Sequence, residues 1–366
     1  MPMTGALPAE TLIELIQASF VRDARLENIR PSSLDLTLSE EIYRVDGVFL
    51  PRPNEPVREM LSALGARPHS FNYPLEKDAT YLVRLEESLY LPQGVSGSCN
   101  PRSSTGRNDI LVRTIADGVG RYDSIPSSGY SGSLWVVISP KSYPVLMKAG
   151  ETLSQLRLFT SDSKLSELEL QISMEKDKLL WDLAGTRPIK YSELTNQDND
   201  GSLLLSVHLQ GDVIGWECLG SNKVMDFTQN HIHSPQEFFT PIYAAKEYLT
   251  LRKGGFYIFK TKENVRVPKH MACEMTPMDE RSGEFRTHYA GFIDPGWGYG
   301  VGGEGVGRSL VLEIRPFEDI IIRDGQPVAK IFFEHMAREP HQGYDELSVS
   351  NYTGGFEAPK LSRHFK

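Results

Sequence analysis

The sequence predicts a mainly β protein made of two tandem barrel-like modules with a few short helices. Many short segments alternate apolar and polar residues, the two-residue period of a strand with one buried face. Clusters of Gly, Pro, Asn and Ser separate them at short intervals, as in an antiparallel barrel or jelly roll. The chain of 366 residues also repeats itself. That length suits two domains, each large enough to bury its own core.

The repeat is read from three segments. Tyr81–Pro92 (YLVRLEESLYLP) and Tyr257–Pro268 (YIFKTKENVRVP) both begin with Tyr and end with Pro, 176 residues apart. Leu134–Pro140 (LWVVISP) and Leu310–Pro316 (LVLEIRP) share that offset. Val145–Phe159 and Ile320–Phe333 follow, with Gly150 and Gly325 offset by 175, as a one-residue gap leaves them. Matches in one register point to a tandem duplication. The run Asn196–Gly201 (NQDNDG) is polar, lacks any apolar residue and reads as the linker. The expected modules are therefore 1–196 and 197–366. Helices are expected over Pro8–Phe20 and Val57–Leu64.

Composition excludes several classes. The formal net charge is −9, so there is no basic footprint for a nucleic-acid polymer. A small polyphosphate needs only a local Arg cluster and stays open. Cys99, Cys218 and Cys273 are odd in number and form no CxxC pair. That argues against a disulfide framework and for a reducing, cytoplasmic setting. The first residues lack the basic-then-apolar order of a signal peptide. No apolar run approaches the roughly 18 residues of a membrane-spanning helix.

Five segments carry the chemistry: IRPSSLDLTL (Ile29–Leu38), RSSTGR (Arg102–Arg107), AGFIDPGW (Ala290–Trp297), VLEI (Val311–Ile314) and the tail Gly343–Arg363 with Tyr344 and Tyr352. Together they resemble the dCTP deaminases, relatives of the trimeric dUTPases. The resemblance spans most of both halves. It implies dUTPase-like distorted β-barrel or jelly-roll modules, hydrolysis of dCTP to dUTP and ammonia, and dTTP or dUTP as further ligands. A homo-oligomer is also implied, with a trimer of chains as the first expectation. Glu313 takes the family's proton-shuttle position, with Arg107 and Ser103 as further catalytic groups. Around the substrate the resemblance places Arg102, Ser103, Ser104, Arg107, Asp294, Val311, Leu312, Tyr344 and Tyr352. Asp294 would accept from the deoxyribose 3′-hydroxyl, and the two tyrosines would close over the nucleotide.

The residue types suit that chemistry. Deamination at cytosine C4 needs an activated water, a proton for ring N3 and another for the departing amine. One positioned carboxylate held beside the water can shuttle these protons. Zinc deaminases instead carry an H-x-E…P-C-x-x-C pattern. This sequence lacks it, so no zinc and no protein-held metal is expected. Arg102 can bind phosphate oxygens through two N–H groups at once, and Ser103 and Ser104 add hydroxyls. Mg²⁺ is expected to accompany the triphosphate.

The two halves depart from the family pattern in complementary ways. Module 1 keeps RSSTGR, but Val137 stands where the glutamate belongs and Ser127 near the aspartate position. Module 2 keeps Asp294 and Glu313, but its RSSxxR region reads EMTPMDER, with only Arg281 to stand in. One composite site drawing on both halves is the simplest reading. Its rivals are a dUTPase or bifunctional deaminase/dUTPase, and a nucleotide-binding regulator without turnover. Three further features have plain readings. Gly298–Gly307 lacks the GK[ST] end of a P-loop and reads as a flexible hairpin loop. His231 and His233 read as part of a solvated loop, and Cys273 as a buried small hydrophobe.

Overall fold

The computed structural model describes residues 4–195, 197–244, 248–287, 291–347 and 358–366, so Ala290 and Tyr352 lie outside the described residues. The alternating segments fold as strands. In the first half these are Leu34–Val45 (β1), Thr80–Leu91 (β2), Ser96–Pro101 (β3), Ile110–Ala116 (β4), Tyr130–Pro140 (β5) and Thr152–Phe159 (β6). They pair in the order β4-β5-β2-β1-β6-β3, with Ser124–Ile125 outside β3. Contacts between β3 and β4 bring the ends of the sheet together as a barrel.

The second half is built from Ser202–Ser206 (β7), Val213–Cys218 (β8), Tyr257–Val265 (β9), Met271–Thr276 (β10), Phe285–Thr287 (β11), Arg308–Pro316 (β12) and Pro327–His335 (β13). One sheet runs β8-β9-β12-β11 and another β7-β13-β10. Strand register recurs between the halves at the offset read from the sequence. Leu82 pairs with Val137 and Ile258 with Glu313. Arg84 pairs with Trp135 and Lys260 with Val311. Gly97 pairs with Ile125 and Cys273 with Ile293, where only the first partners keep that offset because the segment between the paired strands is shorter in the second half. The last match puts Pro126, one residue before Ser127, at the position of Asp294.

Both expected helices form, as Ala9–Gln17 (α1) and Val57–Ala63 (α2), and a single turn, Ser103–Gly106 (α3), falls inside RSSTGR. A further helix, Glu167–Asp177 (α4), was not expected. It opens on a capping box, in which Glu169 N–H donates to Ser166 Oγ and Ser166 N–H donates to the Glu169 carboxylate. It ends at Lys178 in the left-handed region, φ +53°.

The division of the chain differs from the expected 1–196 and 197–366. Unit 1 comprises Met1–Asp162, Gly220–Glu237 and Ser362–Lys366, and unit 2 comprises Ser163–Leu219 and Phe238–Leu361. Two physical reasons account for this. Leu170 and Met174 of α4, with Leu179 and Leu180 after it, are buried in the core of unit 2. The polar run near 200 is part of the fold, because Asp198 and Asp200 both accept from Lys330 Nζ at 2.7 Å. In unit 1, Met225–Asp226 pairs in parallel with Val145–Leu146. None of the three cysteines forms a disulfide, and Cys99 and Cys273 are buried. Among the described residues no helix is long and apolar enough to cross a membrane.

Each unit holds one acidic side chain at the same place in the repeat. Glu87 on β2 is fully buried and accepts from Thr37 N–H at 2.8 Å. Glu263 on β9 accepts from Ser206 N–H at 2.9 Å. Burial pushes both carboxyls up, Glu87 to about 7. A carboxyl held above its unfolded value binds its proton more tightly when folded, so its ionisation opposes folding. Relative to Glu87→Gln, which keeps an acceptor for Thr37, the wild type should gain roughly 3 kcal/mol as pH falls from above 7 to 4.5. Paired denaturant titrations across that range measure the difference. A difference that does not change with pH would place the titration elsewhere.

Candidate active site

In unit 1 the RSSTGR turn is fastened to β6. Arg102 N–H donates to Leu153 O at 2.9 Å and Thr105 Oγ1 donates to the same oxygen at 3.1 Å. The Arg102 guanidinium is oriented by Thr152 Oγ1 and lies 3.5 Å from the Asp35 carboxylate. Asp35 is fully buried and also accepts from Arg30 at 2.8 Å and from Gln155 at 2.9 Å. Asp35 and Arg30 belong to the IRPSSLDLTL segment, so two of the sequence motifs meet here. Arg107 is 5% exposed. The Ser104 hydroxyl is enclosed with no hydrogen-bond partner among the described residues. Arg363 joins this neighbourhood 3.9 Å from Glu151. Burial pulls its guanidinium down, with Arg102 adding to the effect, and burial pushes the Glu151 carboxyl up.

The corresponding turn of unit 2 is built differently. Arg281 is largely exposed, and its guanidinium donates to Asp279 and Asp198. A cavity of about 360 Å³ there is lined by Asp198, Asp279, Arg281 and Ser282 among others. Two carboxylates at its wall repel a phosphate. Arg281 is therefore engaged in an acidic cluster and is not placed as Arg107 is.

Unit 2 supplies buried carboxylates. Glu313 on β12 is 2% exposed, and Asp294 is 8% exposed. On β12, Leu310, Leu312 and Ile314 turn into the core. By the two-residue period Val311, Glu313 and Arg315 face the other way. Leu312 thus offers only its backbone to a ligand. The Asp294 segment is a tight turn. Gly296 has φ +85°, and a Cβ there would lie 2.7 Å from Gly343 Cα and Tyr344 N. Tyr344 N–H donates to Pro295 O at 2.7 Å, and its ring sits 5.0 Å from that of Trp297. Tyr344 therefore packs on the aspartate turn. Tyr352 lies outside the described residues.

The same face in unit 1 is sealed. Val137, at the register of Glu313, is buried in an apolar cluster with Trp135, Leu82, Ile115, Val57 and Leu61. The last two come from α2, whose Val57 N–H is bound by Asp117 at 2.9 Å. A helix inserted between the first two strands thus covers the position that unit 2 gives to a carboxylate.

Two plain readings change. Gly298–Gly307 is fixed at its centre. Arg266 donates to Gly305 O at 2.9 Å and Gly303 O at 2.7 Å and stacks on Tyr299. Gly302 N–H is taken by Glu304 and Gly300 N–H by Asp345. A Cβ on Gly305 would meet Gly298 O at 2.4 Å. With its carbonyls on a cation and its amides on carboxylates, the loop is the reverse of a phosphate cradle. His231 and His233 are not simply solvated. His233 Nε2 accepts from Asp226 N–H at 2.9 Å, and His231 Nδ1 lies 3.0 Å from Phe365 O. Among the described residues no three His, Cys, Asp or Glu side chains gather into a metal-binding group.

Sequence reasoning missed Asn108, Asp35, Glu151 and His364. Asn108 directly follows RSSTGR, and the density of polar and aromatic residues in SRHFK was the available sign for His364. The family models for the N-terminal and C-terminal domains of 2′-deoxycytidine 5′-triphosphate deaminase match residues 3–162 and 176–365. A crystal structure of 2′-deoxycytidine 5′-triphosphate deaminase from Agrobacterium tumefaciens is similar, with a TM-score of 0.83 and 35% identity over 92% of this chain and 97% of that one. No curated protein matches. On these matches the chain belongs to the dCTP deaminase family, in a two-module form.

Proposed function

We propose that the chain hydrolyses dCTP to dUTP and ammonia, with Glu313 as the proton shuttle of a site that takes groups from both halves. The observation that carries this reading is the complementary construction of the units. Unit 1 holds the donor-rich turn and fills its carboxylate position with Val137 in an apolar cluster. Unit 2 holds buried Asp294 and Glu313 and an acidic cluster at its own turn. Each half supplies what the other has lost, either within one chain or between neighbours in an oligomer, for which a trimer is our proposal.

The reaction follows from these groups. Arg102, Ser103, Ser104 and Arg107 bind the phosphates through guanidinium and hydroxyl donors. Asp294 accepts from the sugar hydroxyl. Glu313 takes a proton from water as the water oxygen bonds to C4, and passes protons to N3 and to the leaving amine. One water enters and one ammonia leaves. Mg²⁺ would accompany the triphosphate and offset its charge. The donors around Arg102 fit a metal carried by the ligand, since guanidinium and hydroxyl groups address phosphate. No zinc is invoked for water activation.

Incubation with dCTP and Mg²⁺, with dUTP, dUMP and ammonia resolved, tests the reading. Stoichiometric dUTP and ammonia are expected. Appearance of dUMP and pyrophosphate would make the enzyme bifunctional, and tight dCTP binding without ammonia would make it a regulator.

A further inference from the structure

The residue after RSSTGR is the centre of a buried polar network. Asn108 Nδ2 donates to Ser104 O at 2.7 Å and to Ser362 Oγ at 2.9 Å, and lies 3.1 Å from His364 Nδ1. Its Oδ1 accepts from Tyr143 Oη at 3.0 Å. Ser362 Oγ and His364 Nδ1 are 3.0 Å apart. Asn108, Tyr143, Ser362 and His364 are all buried. His364 also lies on Phe227, ring centres 4.1 Å apart. The two amide hydrogens of Asn108 go to Ser104 O and Ser362 Oγ, which leaves His364 Nδ1 to the Ser362 hydroxyl. Burial holds the imidazole down at about 3, so the ring is neutral.

Backbone hydrogen bonds fix the segment Ser362–Lys366. His231 N–H donates to Arg363 O, Ile232 and His233 N–H donate to His364 O, and Lys366 N–H donates to His233 O. Phe365 is buried beside His233. Ser362–Lys366 is thus an integral part of unit 1.

We propose that Ser362–Lys366 is a clip that positions the phosphate-binding turn, with Asn108, Ser362 and His364 as positioning residues. The inference rests on the functional reading above for the role of the turn. Its logic is local. The amide that holds the Ser104 carbonyl is itself held by the tail. When Ser362 and His364 are removed, Asn108 loses its partners on that side, and the peptide that sets Ser104 and Arg107 is released. A buried amide N–H left without an acceptor favours a new rotamer that reaches water.

The test compares wild type, His364→Ala, His364→Asn, Ser362→Ala and a chain ending at Leu361. Each is assayed for tripolyphosphate affinity, dCTP turnover and unfolding temperature. His364→Ala and the shortened chain should bind tripolyphosphate at least about tenfold more weakly, with KM for dCTP raised in proportion. His364→Asn returns a polar atom near Nδ1 and should restore affinity. A purely structural role would lower the unfolding temperature and leave the affinity of folded protein unchanged, which overturns the clip. If the shortened chain does not fold, His364→Ala and Ser362→Ala decide. A wild type that binds tripolyphosphate without deaminating dCTP defeats the functional reading and leaves the clip to be judged on affinity alone.

Discussion

Glu313→Gln should lower dCTP turnover by about two orders of magnitude or more, the range of a lost general acid–base group, while dCTP still binds. Glutamine keeps the shape of a side chain that is 2% exposed on β12 and flanked by the core residues Leu312 and Ile314. The fold should therefore survive, and the loss should appear in kcat. Two orders correspond to about 2.7 kcal/mol of transition-state stabilisation. Combined with Arg107→Ala, the second substitution should add far less than it costs alone, because both damage one unit of function. Turnover near that of wild type in Glu313→Gln would remove this residue from the mechanism. Independent, multiplying effects of the two substitutions would place them in separate sites.

The second large effect is on stability. Val137→Glu gives unit 1 the residue that unit 2 has at this register, yet it should cost roughly 3–5 kcal/mol of unfolding free energy, or force the introduced carboxyl to stay protonated. That carboxyl would enter the cluster of Trp135, Leu82, Ile115, Val57 and Leu61. No second deaminating site should appear, because α2 covers the position and Pro126 stands where Asp294 does in the other half. Chemical denaturation of Val137→Glu beside Val137→Thr, which adds a hydroxyl to nearly the same shape, separates burial of charge from change of volume. A Val137→Glu protein as stable as wild type would show that α2 gives way readily.

The strands were legible because alternation and turn residues are local. Their register was legible because Tyr, Pro and Gly recur at fixed offsets, and the pairings Leu82↔Val137 and Ile258↔Glu313 follow that spacing. The unit boundary was not legible. The run near Asn196–Gly201 has a linker's composition, but Asp198 and Asp200 serve Lys330, and a polar residue's partner 130 positions away leaves no mark on its own segment. The sealed face of unit 1 was half legible. Val137 was visibly apolar, but nothing local told that Val57 and Leu61 would cover it. Asp294 and Glu313 were singled out through their motifs, whereas Asn108 and His364 belong to no motif and meet through contacts made far along the chain.

The clip described above also bears on the order in which the molecule is made. Most of unit 1 lies in Met1–Asp162, where Leu7 N–H pairs with Leu158 O, yet the unit also needs Ser362–Lys366. A growing chain folds its early domains during synthesis, at about 5–20 residues per second. Here the first unit to emerge cannot complete its buried Asn108–His364 network until residues 362–366 have left the ribosome. A chain that stops before Ser362 therefore lacks part of the unit it began with.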